Sequence, residues 1–97
     1  MNMSLHELLV DQIDVMPAIN PIVSGMSADS RALKKNDVFI ALAGATTHGL
    51  KFAKHAQDVG VAAVLFEAPA PEGFVETANT IAVPNLRKKC GVLANRF

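Results

Sequence analysis

The sequence predicts a small three-layer α/β domain built on a partly parallel, mixed sheet. Three observations carry that prediction. Two apolar runs, 38–42 (VFIAL) and 61–66 (VAAVLF), are continuous rather than alternating, as in strands buried on both faces. An amphipathic stretch and one glycine, Gly60, lie between them, so the order is strand, helix, strand. A third apolar run, 80–83, precedes a second amphipathic stretch that ends the chain.

At 97 residues the chain suits one domain. Half of it is apolar, with no Trp or Tyr, so the core is expected to be mainly Val, Leu, Ile and Ala. Formal net charge is zero, which argues against nucleic acid and gives no reason to expect an anionic membrane as partner. The single cysteine, Cys90, excludes an internal disulfide and favours a reducing, cytoplasmic setting. No basic n-region with a long apolar run opens the chain, and no apolar run approaches the ~20 residues of a membrane span.

Ser4-Leu5-His6-Glu7 is a capping-box pattern, with Met3 and Leu8 placed for a hydrophobic staple. A helix is expected over 5–10, with Leu5, Leu8 and Leu9 inward and His6 in solvent. Residues 11–21 hold two prolines and read as a loop, with Ile13 and Val15 as its contacts to the sheet. Residues 22–28 are expected to form a first strand, weakened or bulged at Gly25.

The stretch 27–49 joins a polar Asp29-Ser30-Arg31 motif, a basic turn (Lys34, Lys35, Asn36, Asp37), the strand 38–42 and a small-residue loop, Gly44 to Gly49. A helix is expected over 50–59, with Phe52, Ala53, Ala56 and Val59 on its inner face and Gly60 as C-cap. Residues 67–73 (EAPAPEG) read as a surface loop. Pro84-Asn85 opens the last helix, with Leu86, Cys90, Leu93 and Phe97 inward and Arg87, Lys88, Lys89 and Arg96 on a solvated face. Cys90 reads as a small core residue rather than a reactive thiol. The chain stops at Phe97 within a helical pattern and without a polar tail, which points to a fragment.

The chemistry-bearing candidates are few. The histidines are scattered and no Cys-x-x-Cys occurs, so no metal site is expected. No Ser or Cys sits in a nucleophile elbow, and no catalytic residue is assigned. The loop Gly44-Ala45-Thr46-Thr47-His48-Gly49 has the glycine spacing of a phosphate-binding P-loop. However, Leu50 stands where the essential Lys belongs, and Phe52 follows Lys51 where Ser or Thr is needed, so ATP hydrolysis is rejected. A strand-to-helix loop can still offer backbone N–H groups to a ligand beyond the C-terminal strand ends. It can equally be a plain connection. Asp29-Ser30-Arg31 is open in the same way, as a hydrogen-bonded turn or as a fork presented to phosphate.

The run DSRALKKNDVFIALAG…HG, followed by FAKHAQDVGVAAVLFE, resembles the N-terminal domain of the Mur ligases, which build the peptidoglycan stem peptide. Asn36 stands where that family usually has Gly, His48 where it has Asp, and Val61 where it has Ala. The end NLRKKCGVLANRF is most similar to the MurE type, with the MurF type as runner-up. The resemblance implies a domain that holds the UDP end of UDP-N-acetylmuramoyl-L-alanyl-D-glutamate. The matching positions are Ala28, Ser30, Ala45, Thr46 and Thr47, with Asp29, Arg31, Gly44 and Gly49 in support. It also implies ATP and Mg²⁺ for the whole enzyme, and a central ATPase domain and a C-terminal domain outside these 97 residues. This stretch alone would not catalyse. A free-standing nucleotide- or protein-binding module and a regulatory domain attached to a kinase are the other readings.

Overall fold

The computed structural model describes residues 3–13, 17–42, 49–67, 77 and 79–96. A four-stranded parallel sheet forms its centre. The strands are β3 (Gly25–Ser27), β4 (Asp37–Ala41), β5 (Ala63–Phe66) and β6 (Thr80–Ala82), in spatial order β3-β4-β5-β6. A separate antiparallel ribbon pairs β1 (Met3–Ser4) with β2 (Ile22–Val23). The parallel and antiparallel pairings expected of one mixed sheet thus fall in two sheets.

The register explains the continuous apolar runs. In β4, Val38 and Ile40 enter one core, and Phe39 and Ala41 enter the other. In β5, Ala63 and Leu65 join the first core, and Val64 and Phe66 join the second. Side chains alternate across a strand, so a strand covered on both sides has no polar face to spare. The first core is closed by α1 (Leu5–Leu9) and α3 (Leu86–Asn95), through Leu5, Leu8, Leu9, Leu86 and Leu93. The second is closed by α2 (Ala53–Val59), through Ala53 and Ala56. These are the three layers. Each fully buried Val, Leu, Ile or Phe side chain contributes about 1.5–3 kcal/mol of burial.

Two turns of the central βαβ unit depend on left-handed residues. Gly60, at φ 96°, ends α2, and its N–H donates to the carbonyls of Ala56 and Gln57. Asn36 has φ 71° in the turn before β4, and its N–H donates to Gly60 O at 3.0 Å. A left-handed turn is where glycine is common and where Asn is tolerated, which accounts for the Asn36 exchange.

Several expectations need correction. The strand expected over 22–28 is two strands in different sheets, parted at Ser24, whose N–H donates to Asn36 O. Gly25 marks a close approach. A Cβ there would lie 3.3 Å from Asp37 Oδ1, while Asp37 Oδ2 accepts from Lys34 N. The helix expected from 50 begins at Ala53, after a 3₁₀ turn over Gly49–Phe52, and Phe52 is 40% exposed. His6 is not a solvated residue. Its Nε2 lies 2.9 Å from Pro17 O and 3.0 Å from Ile19 O, and its backbone N–H donates to Asn20 Oδ1. It ties the segment 17–20 to α1.

The basic face of α3 is likewise partly engaged. Lys89 Nζ donates to Gln12 O, and Arg96 Nη1 donates to Leu8 O and Val10 O. Ser4 caps α1 as expected, accepting from Glu7 N, but its hydroxyl rather than its backbone N–H meets the Glu7 carboxylate. Ile13 packs against the first core. Val15, Phe97 and residues 68–73 of the proline-rich stretch lie outside the described residues.

Candidate functional site

The site begins where β3 ends. Ser27 closes the strand, and its hydroxyl accepts from Asp29 N at 3.0 Å and donates to Asp29 O at 3.1 Å. That turns the chain sharply. Asp29 then caps a 3₁₀ turn over Ser30–Ala32, with its Oδ1 accepting from Arg31 N at 2.9 Å. The same carboxylate meets the guanidinium, Oδ1 to Nε at 3.2 Å and Oδ2 to Nη2 at 3.4 Å. The motif is therefore a self-bonded turn with its cation outside. The Arg31 side chain is 89% exposed.

Electrostatics follow from that geometry. The Arg31 guanidinium, then the Arg31 N–H, hold the Asp29 carboxyl below its usual value, and Asp29 in turn raises Arg31. Both groups stay charged at neutral pH, so an anion approaching the turn meets a fixed cation held at one edge.

Ala28, Asp29, Ser30 and Arg31 line an open depression of about 480 Å³, and Phe52 forms its other wall. Phe52 belongs to the segment that follows β4 in the chain. It closes the 3₁₀ turn that leads into α2. Lys51 Nζ lies 5.2 Å from the centre of its ring. The sequence reading missed Phe52 as a site residue because its helical spacing put it in the core. Ser27 was missed because its role lies in hydroxyl bonds to the backbone of its neighbour.

Of the expected site residues, Ala28 and Ser30 line this depression together with the supporting Asp29 and Arg31. Gly49 opens the 3₁₀ turn that ends at Phe52. Gly44, Ala45, Thr46 and Thr47 lie outside the described residues. β3 and β4 are parallel neighbours, so Ala28 and Leu42 follow strands that end on the same side of the sheet.

Elsewhere, burial pushes the Cys90 thiol up, against a lesser downward pull from Arg87. That disfavours the thiolate and fits a packing residue. Among the described residues, no three His, Cys, Asp or Glu side chains come together in a way that would hold a metal ion. No helix among these residues is long and apolar enough to cross a membrane.

Comparison with known proteins bears on this geometry. Residues 22–97 match the family described as Mur ligase family, catalytic domain. A UDP-N-acetylmuramoyl-L-alanyl-D-glutamate--2,6-diaminopimelate ligase of Xanthomonas campestris pv. campestris (strain 8004) is 47% identical over 95 residues. That alignment takes in 98% of this chain and 19% of the relative. A UDP-N-acetylmuramyl-tripeptide synthetase of Roseiflexus sp. (strain RS-1) is 37% identical, over 98% of this chain and 19% of its own length. The chain thus spans about a fifth of the length of these relatives. Among solved structures, MurF ligase from Thermotoga maritima in complex with ADP superposes with a TM-score of 0.61 at 22% identity, covering 76% of this chain and 16% of that one. That likeness supports the fold. The family match covers most of the sequence, from β2 through α3, and on it the chain belongs to the Mur ligase family.

Proposed function

We propose that this chain anchors the UDP end of UDP-N-acetylmuramoyl-L-alanyl-D-glutamate for an ATP-dependent MurE-type ligase of peptidoglycan synthesis. One observation carries the reading. The Asp29-Ser30-Arg31 turn sits at the C-terminal end of a parallel strand and lines an open depression beside an aromatic wall. In open α/β sheets ligands lie beyond the carboxyl ends of the strands. The relatives' names, a 2,6-diaminopimelate ligase and a tripeptide synthetase, favour the MurE type over the MurF alternative.

The residues divide the work. Ala28 and Ser30 present backbone and hydroxyl to the nucleotide, and Arg31 faces its phosphates. Ala45, Thr46 and Thr47, with Gly44 and Gly49 in support, are the further residues assigned to holding the nucleotide. A nucleotide held here is tethered while its peptide end reaches chemistry elsewhere. Carboxylate activation by ATP with Mg²⁺ and attack by an amino group belong to the central and C-terminal domains of a longer, cytoplasmic enzyme. Nothing in this stretch is assigned a catalytic role.

The test is a titration of the ¹⁵N-labelled chain with UDP to millimolar concentration. Amide signals of Ala28 to Arg31 and of Thr46 are expected to shift together, along one saturable curve. Unmoved signals at that concentration would overturn an autonomous UDP site.

A further inference from the structure

We propose that Phe52 is the platform against which the base of the bound nucleotide stacks, an inference that rests on the UDP reading above. Four large apolar side chains are exposed among the described residues: Val10, Ile22, Phe52 and Val92. Phe52 alone of these lines the depression. Its exposure has a local cause. The 3₁₀ turn before α2 carries it away from the core, while the next residue, Ala53, is 8% exposed and packs inward.

The surroundings select a nucleotide over other occupants. The depression, about 480 Å³, is within the range that holds a small molecule. Its lining pairs one aromatic side chain with the Asp29–Arg31 ion pair, whose Arg31 side chain is 89% exposed, while Lys51 Nζ lies over the Phe52 ring at 5.2 Å from its centre. An aromatic ring across from an exposed guanidinium is complementary to a flat base joined to phosphates. Phe offers no hydrogen-bonding group, so it adds affinity for any base and does not choose uracil. Choice of base falls to groups that can hydrogen-bond its edge.

The experiment compares the chain with its Phe52→Leu, Phe52→Tyr and Phe52→Trp variants, each checked for folding by its thermal melt. Phe52→Leu keeps apolar bulk and loses the π face. It is expected to weaken UDP binding about tenfold, with Phe52→Tyr within about twofold of the parent. The parent has no Trp, so Phe52→Trp introduces a single indole. Its emission is expected to be quenched by UDP and left unchanged by ribose 5-phosphate. Equal UDP affinity of parent and Phe52→Leu overturns the stacking role, as does an indole blind to saturating UDP. If the parent itself does not bind UDP, the nucleotide reading falls, and the stacking role falls with it.

Discussion

Asp29 is where the site's local chemistry can be read from a single carboxyl. Its value in the folded chain is lowered, first by the hydrogen bond from the Arg31 side chain and then by the Arg31 N–H. A lowered carboxyl favours the folded turn above the unfolded value of 3.8, and that preference is lost as pH falls through the folded value. The window therefore lies below about pH 4. Asp29 is half exposed and Arg31 almost fully so, which makes the effect local to the turn. An NMR titration should find the Asp29 midpoint below 3.8, and Arg31→Gln should move it back up. A parent midpoint at or above 3.8 would dissolve the pair as a feature of the turn in solution. At this scale the sequence was legible where chemistry is local. Asp29 and Ser30 were readable as turn formers, and Gly60 as a cap. Phe52 was not, because a helical wheel assumes 3.6 residues per turn from residue 50. Three residues per turn over Gly49–Phe52 turn the ring outward. His6 was illegible because its partners, Pro17 and Ile19, are loop carbonyls.

Elements show a similar division between what is near and what is distant along the chain. Ser4 and Glu7 announced α1 at its start, but nothing nearby announced how so short a helix ends. A five-residue helix leaves most of its carbonyls without an intrahelical donor. Arg96, from the C-terminal end of α3, supplies one. Its Nη1 reaches Val10 O at 2.7 Å, Leu8 O at 2.9 Å and Glu7 O at 3.3 Å. A guanidinium at a helix C-terminus also meets the negative end of the helix dipole. Arg96→Ala should lower unfolding free energy by about 1–3 kcal/mol, and Arg96→Lys by less, in urea denaturation. An unchanged midpoint for Arg96→Ala would mean the three contacts carry no net weight. The sequence put Arg96 on a solvated face, whereas it caps α3 and is bonded to the end of α1. It could not show that α1 lies against that end, because these partners are 86 to 89 residues away.

Across the whole molecule, the sheet divides the interior into two cores with different neighbours. The continuous apolar runs made the two-sided burial legible, whereas the splitting of 22–28 between two sheets was set by tertiary pairing at Ser24. The two cores stand in different relation to the Phe52 wall. Phe39 packs in the core under α2, the helix that Phe52 leads into, whereas Ile40 packs in the core under α1 and α3. Small changes on the two sides should therefore separate stability from binding. Ile40→Val removes one methyl group and is expected to cost about 0.5–1.5 kcal/mol. Phe39→Leu alters shape more than polarity and should cost a similar amount, about 1 kcal/mol. Both remain well inside the ~5–15 kcal/mol typical of a domain this size, so both variants should stay folded at 25 °C. Ile40→Val is expected to keep the parent's UDP affinity. Phe39→Leu is expected to weaken it several-fold, because α2 settles toward the sheet and draws the Phe52 wall away from Arg31. Urea melts paired with UDP titrations would check this. Equal affinities in the two variants would mean that the wall is held by the 3₁₀ turn itself, independently of the core beneath α2.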